Sequence, residues 1–166
     1  VMLHDVELCK SIGCDGVVIG MLLSDGRVDK VHSSILAEKA YPMGVTFHRA
    51  FDWTRNPFES LEDIIDIGCE RILTSGQQPT AIMGSHLIRD LIDQAGHRII
   101  IMPGSGVRAS NIQDLRRETG AHEFHSSASV RKRSAMHFIQ QSMQEEQTSV
   151  LADRHEIEQM LVRLNS

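Results

Sequence analysis

The chain has 166 residues, a formal net charge of −5 and a sequence pI near 6.0. That length suits one domain with a real core, and the acidic balance argues against nucleic acid or an acidic membrane surface as a standing partner. No apolar run approaches the ~20 residues that span a bilayer, Asp5 and Glu7 interrupt any secretory h-region, and Cys9, Cys14 and Cys69 are too scattered for a disulfide framework.

The first expected element is a helix over Met2 to Lys10, with Met2, Leu3, Val6 and Cys9 sharing a face. No capping residue precedes it, so the natural chain is expected to continue upstream of Val1. Five short runs rich in β-branched residues follow, alternating with amphipathic helices: 16–20, 44–48, 71–75, 98–102 and 122–126. Their starts recur about every 27 residues, the size of a compact βα unit. Gly13, Gly68 and Gly120 each stand between a helix end and a strand start, where a left-handed residue closes a helix. Asn56, Pro57 and Glu59 read as N-cap, first helical residue and capping box. Arg131-Lys132-Arg133 reads as a solvated loop, and 139–166 as a helical tail packed on a barrel unit formed by 1–138.

Strands alternating with helices predict a parallel sheet covered by helices, an α/β fold. A dinucleotide-binding sheet would carry Gly-x-Gly-x-x-Gly after an early strand, with an acidic residue ~20 positions later. Neither stands here, although Gly104-Ser105-Gly106 follows a strand. Even repeats favour a TIM-type (β/α)₈ barrel with five parallel strands present, lacking about three N-terminal units, roughly 80 residues. Such a sheet has open edges, at Val17–Ile19 and at Glu123–His125, which invite pairing with a second copy, a homo-oligomer.

Functional residues of such barrels stand at the C-terminal ends of strands. Alternation sends Phe47 against the helices and turns Thr46 and His48 inward, with Arg49 and Asp52 at the rim. A structural Arg49–Asp52 ion pair is the alternative to a functional one. Phe124 likewise faces the helices, leaving Glu123 and His125 inward; Glu123 lies deeper and needs a partner. Loops after the last two strands often bind phosphate. Here these are Gly104-Ser105-Gly106 and Ser126-Ser127 with Ser129, a candidate site for a small anion, with a plain tight turn as the alternative. Thr74 to Gln78 could add hydroxyls to the same mouth. His4, His32, His86, His97, His137 and His155 read as surface residues. No Gly-x-Ser-x-Gly elbow, His-Glu-x-x-His pair or Walker loop occurs, and no strand ends in a Schiff-base lysine.

Val45-Thr46-Phe47-His48-Arg49-Ala50-Phe51-Asp52, Arg71-Ile72-Leu73-Thr74-Ser75-Gly76, Met102-Pro103-Gly104-Ser105-Gly106 and Glu123-Phe124-His125-Ser126-Ser127-Ala128 resemble the CutC family in order and spacing. Asp15 to Gly20 and Asp25 to Asp29 resemble it too, and the likeness runs to about residue 138. The resemblance implies a cytosolic TIM-type barrel, no established reaction, and copper as ligand. It carries His48, Arg49, Asp52 and His125 over as mouth residues. The family's first three strands, with the cysteine best suited to copper, have no counterpart here. His48, His125 and Met102 remain as a metal set for which only weak copper binding is expected. Cys14 and Cys69 enter their strands at the opposite end of the barrel, roughly 16 Å away at ~3.3 Å per residue. An enzyme for a small anionic or phosphorylated substrate, and an inactive fragment, are the competing expectations.

Overall fold

The computed structural model describes residues 1–143 and 147–165. Helix α1 (Met2–Ser11) leads into β1 (Gly16–Ile19), followed by α2 (Lys30–Ala40), β2 (Gly44–Phe47) and a 3₁₀ turn (Arg49–Trp53). Then come α3 (Pro57–Ile67), β3 (Arg71–Thr74), α4 (Ser85–Ala95), β4 (Ile100–Pro103) and α5 (Ile112–Thr119). The four strands form one parallel sheet in chain order, a partial TIM-type barrel.

Register explains the two faces. Ile19, Phe47, Ile72 and Ile101 lie level across the sheet and are buried against the helices. Leu61 and Ile64 of α3, Ile88 and Leu91 of α4 and Leu115 of α5 meet them at zero exposure. Each such side chain contributes about 1.5–3 kcal/mol. Val18, Thr46, Arg71 and Ile100 form the opposite, concave row. That face is the interior of a closed barrel and here it is open: Val18 is 64% exposed. Pairing of β1 with β2 uses the carbonyls of Asp15 and Ile19. Alternation therefore turns the N–H and C=O of Gly16 and Val18 toward the open edge.

The helix closures follow the glycines. Gly13, Gly68 and Gly120 take φ of +80°, +90° and +74°. Asn56 caps α3, its Oδ1 accepting from the N–H groups of Phe58 and Glu59.

Two expectations are corrected. The run 122–126 is not a fifth ladder strand; it is an extended segment tied to β4 by the His125 N–H donating to the Pro103 carbonyl at 2.9 Å. Ile100 and Gly104 donate to β3, so Ile101 and Pro103 face the segment, and Pro103 has no N–H to give. Lower down the two separate around a cavity of about 320 Å³ lined by Ile101, Ala121, His122 and Glu123. The second correction concerns the tail. Arg131, Lys132 and Arg133 belong to β5 (Ser129–Arg133), which pairs antiparallel with β6 (Thr148–Ala152) ahead of helix α6 (Arg154–Asn165). Residues 139–166 are thus not wholly helical, because an exposed ribbon precedes α6. Helix α6 packs on α5 through buried Met160, and Arg116 donates to the Leu164 carbonyl.

Candidate functional site

Asp52 organises the mouth. Its side chain, 6% exposed, accepts from Arg49 Nε at 2.8 Å, the Thr74 hydroxyl, the Ser75 N–H at 3.0 Å and the Gln77 N–H at 3.2 Å. The Ser75 hydroxyl lies 2.9 Å from Asp52 Oδ2 and 2.6 Å from the Gln78 carbonyl, and its single proton serves one at a time. A carboxylate has about four acceptor sites, and these are filled. Asp52 therefore positions the β3 loop and the Arg49 guanidinium, whose Nη2 donates to Ser75 Oγ at 2.8 Å.

His48 directly follows β2 and caps the 3₁₀ turn: its Nδ1 accepts from the Ala50 N–H at 3.0 Å. The ring lies over Gly20, where an added Cβ would stand 2.3 Å from Cε1. With Nδ1 engaged as acceptor, the neutral ring carries its proton on Nε2. That nitrogen then offers a donor and no lone pair for a metal.

The two small-residue loops come together. Arg49, Leu73, Ser105, Gly106, Val107, Arg108, His125, Ser126 and Ser127 line one cavity of about 230 Å³. Gly104 packs between two of these lining residues, where an added Cβ would meet Leu73 Cδ1 at 2.5 Å and His125 Cβ at 3.5 Å. Ser105 and Gly106 are consecutive left-handed residues at φ +77° and +73°, and Asn111 fixes the turn by donating to the Gly106 carbonyl. The Ser105 hydroxyl donates to the Pro79 carbonyl at 2.9 Å, and the Ser126 hydroxyl to the Val107 carbonyl at 2.7 Å. Both hydroxyls are thereby spent on shaping the loops. Among the described residues, the N–H groups of Gly106, Val107, Ser126 and Ser127 donate to no protein acceptor. Arg108 spans the loops, donating to the Ser129 carbonyl at 2.8 Å and Oγ at 3.3 Å. Three of its five N–H donors stay uncommitted. Among the described residues no carboxylate pairs with it, so the cavity carries its unbalanced positive charge. Sequence reasoning missed Arg108 as a site residue; its signal was a guanidinium two positions after the glycine loop.

Other expected residues stand apart. Glu123 has its partner, accepting from Arg71 Nε at 2.7 Å and Nη2 at 3.3 Å. Met102 shares the concave face with Ile100, beside Leu73. His48 leans over Gly20 toward β1, whereas His125 stands on the extended segment beyond β4. Among the described residues no group of three or more His, Cys, Asp or Glu side chains could hold a metal ion. Of the expected metal set, His48 has its Nδ1 committed to the Ala50 N–H, and Met102 lies beside Leu73 on the concave face. The seven other histidines are exposed, and among the described residues no helix is long and apolar enough to cross a membrane.

Comparison with known proteins agrees with this architecture. The model of the CutC family matches residues 1–130. A CutC family protein of Chromobacterium violaceum is 51% identical over 137 residues, 82% of this chain and 56% of the relative. One of Parabacteroides distasonis is 54% identical over 127 residues, 76% of this chain and 52% of the relative. The chain spans about half the length of these curated relatives. The crystal structure of CutC from Streptococcus agalactiae, provisionally named a copper homeostasis protein, superposes with a TM-score of 0.71 at 29% identity. That match covers 74% of this chain and 60% of the other. Matched by the family model over residues 1–130 and by relatives at 51–54% identity, this chain belongs to the CutC family.

Proposed function

We propose that this chain serves copper homeostasis in the cytoplasm and that its mouth binds a small oxyanion, with no copper ion resident there. The copper role is carried over from the name of the Streptococcus agalactiae relative. The anion reading rests on one observation: two arginines, Arg49 and Arg108, and two small-residue loops line a single cavity of about 230 Å³. Asp52 balances the charge of Arg49, and that of Arg108 is left for the ligand. The tight turn at left-handed Ser105 and Gly106 carries the Gly106 and Val107 N–H groups, which have no protein acceptor among the described residues. A cavity of that size takes phosphate or a small phosphorylated metabolite.

A titration of the isotope-labelled chain with inorganic phosphate tests this reading. Amides from Ser105 to Arg108 and from Ser126 to Ala128 should shift saturably, and Gly106→Asp should abolish the response. Unmoved amides in both loops would overturn it. Chemistry on a phosphorylated substrate is the second reading, favoured by the His125 imidazole, which lines the cavity and makes no hydrogen bond among the described residues.

The free groups of Gly16 and Val18 support pairing of the β1 edge with a second copy. Sedimentation should show association that rises with concentration. A monomer at every concentration would rule this out.

A further inference from the structure

Far from the mouth, two cysteines meet where α1 turns into β1. Gly13 closes α1 in a Schellman turn: the Cys14 N–H donates to the Cys9 carbonyl at 3.0 Å and the Gly13 N–H to the Lys10 carbonyl at 3.2 Å. Such a turn presses the side chain after the glycine against the one five positions earlier. The same turn ends α3, with the Cys69 N–H donating to the Ile64 carbonyl at 3.3 Å, and there the pair is a buried cysteine and a buried isoleucine. At α1 both positions are cysteine, both are partly exposed and free, and Cys9 lies close enough to help push the Cys14 thiol up. The backbone bond between these residues keeps their Cα atoms within the ~4.4–6.8 Å that a disulfide spans.

We propose that Cys9 and Cys14 form a dithiol–disulfide couple whose oxidant is a low-molecular-weight disulfide of the glutathione type. The Cys9 thiolate attacks one sulfur of the oxidant, whose sulfur–sulfur bond breaks and releases one thiolate with the electron pair. Cys14 then loses its proton to water and attacks Cys9 Sγ, expelling the second thiolate. The protein dithiol gives up two electrons, and the small disulfide becomes two thiols. Burial, and then the neighbouring Cys9, push the Cys14 thiol up, which leaves the opening attack to Cys9 and the resolving step to Cys14. The cross-link closes over the glycine turn alone. It pins the end of α1 to the entry of β1, beside the groove of about 370 Å³ that Val6, Cys9 and Val18 line along the open edge.

The sequence makes the test direct, because Lys10 lies between the two cysteines and Arg27 follows them. The intact chain is equilibrated with excess oxidised glutathione, quenched with maleimide and digested with trypsin. The expected product is peptide 1–10 joined to peptide 11–27, with maleimide labelling of Cys9 and Cys14 lost, in a chain that runs as a monomer on a non-reducing gel. Buried Cys69 should label only after denaturation. Cys14→Ser should stop at a glutathione adduct on Cys9. Adducts on both cysteines without the joined peptide, linkage between two chains, or both thiols still free would each overturn the proposal.

Discussion

Arg71 on β3 reaches over β4 to grip Glu123, with Nε donating to Oε2 at 2.7 Å and Nη2 to Oε1 at 3.3 Å. The pair offsets what Pro103 removes from the ladder. It anchors the lower part of the segment that carries His125, while the His125 N–H anchors the upper part. Both side chains are about a third exposed, 34% and 39%, so solvent screens the pair. Glu123→Gln should therefore cost only about 1 kcal/mol of global stability. Its larger effect should be local, with amides 121–127 exchanging faster than those of β3. Equal protection in wild type and variant would contradict the anchoring role.

Asp52 should behave quite differently. Replacing it with alanine leaves the Arg49 guanidinium to solvent, at 44% exposure, but leaves the donors of Thr74 and Ser75 unmet in a buried site. Such unsatisfied buried donors cost about 1–3 kcal/mol each. Urea unfolding measures this, and a loss under ~1 kcal/mol, the size of an exposed pair, would show that the network is not formed.

These two residues also mark how far the sequence could be read. The repeat and the helix-closing glycines were legible because each follows from local backbone chemistry. Gly13 and Gly68 sit at positive φ, where other residues are strained. Saturation of Asp52 was not legible, since its donors arrive from the next strand's loop, placed by the register of β2 on β3. Pro103 stood in plain view. Its cost appeared only once alternation turned it toward the fifth segment. The β5–β6 ribbon was hidden behind Arg131-Lys132-Arg133, a charge run that shows no apolar alternation and is exposed even when paired.

Cys69 gives a pH dependence. Burial pushes its thiol from the ordinary 9.0 up to about 12, at 4% exposure. The unfolded thiol ionises first, so stability is fully present below about pH 9 and falls as pH rises toward 12. At ~1.4 kcal/mol per pH unit, wild type should lose about 3 kcal/mol relative to Cys69→Val between about pH 8 and pH 11. Parallel pH profiles for the two proteins would contradict it.

Copper at the mouth should be weak. In a Cys9→Ser, Cys14→Ser background, which removes the exposed thiols, a Cu(I) chelator should strip the metal completely. Tight one-to-one binding there that disappears on His48→Ala with His125→Ala would show that the two imidazoles do converge on an ion.

The oxyanion cavity is tested most directly by calorimetric titration of inorganic phosphate into the chain and into Arg108→Gln. Saturable one-site binding should occur in wild type and weaken about tenfold or more in the variant, the ~1.5–3 kcal/mol of a charge-assisted hydrogen bond. His48→Ala, whose ring lies over Gly20 outside the cavity, should bind as wild type does. No heat of binding in wild type, or equal affinity in Arg108→Gln, would contradict the site described here.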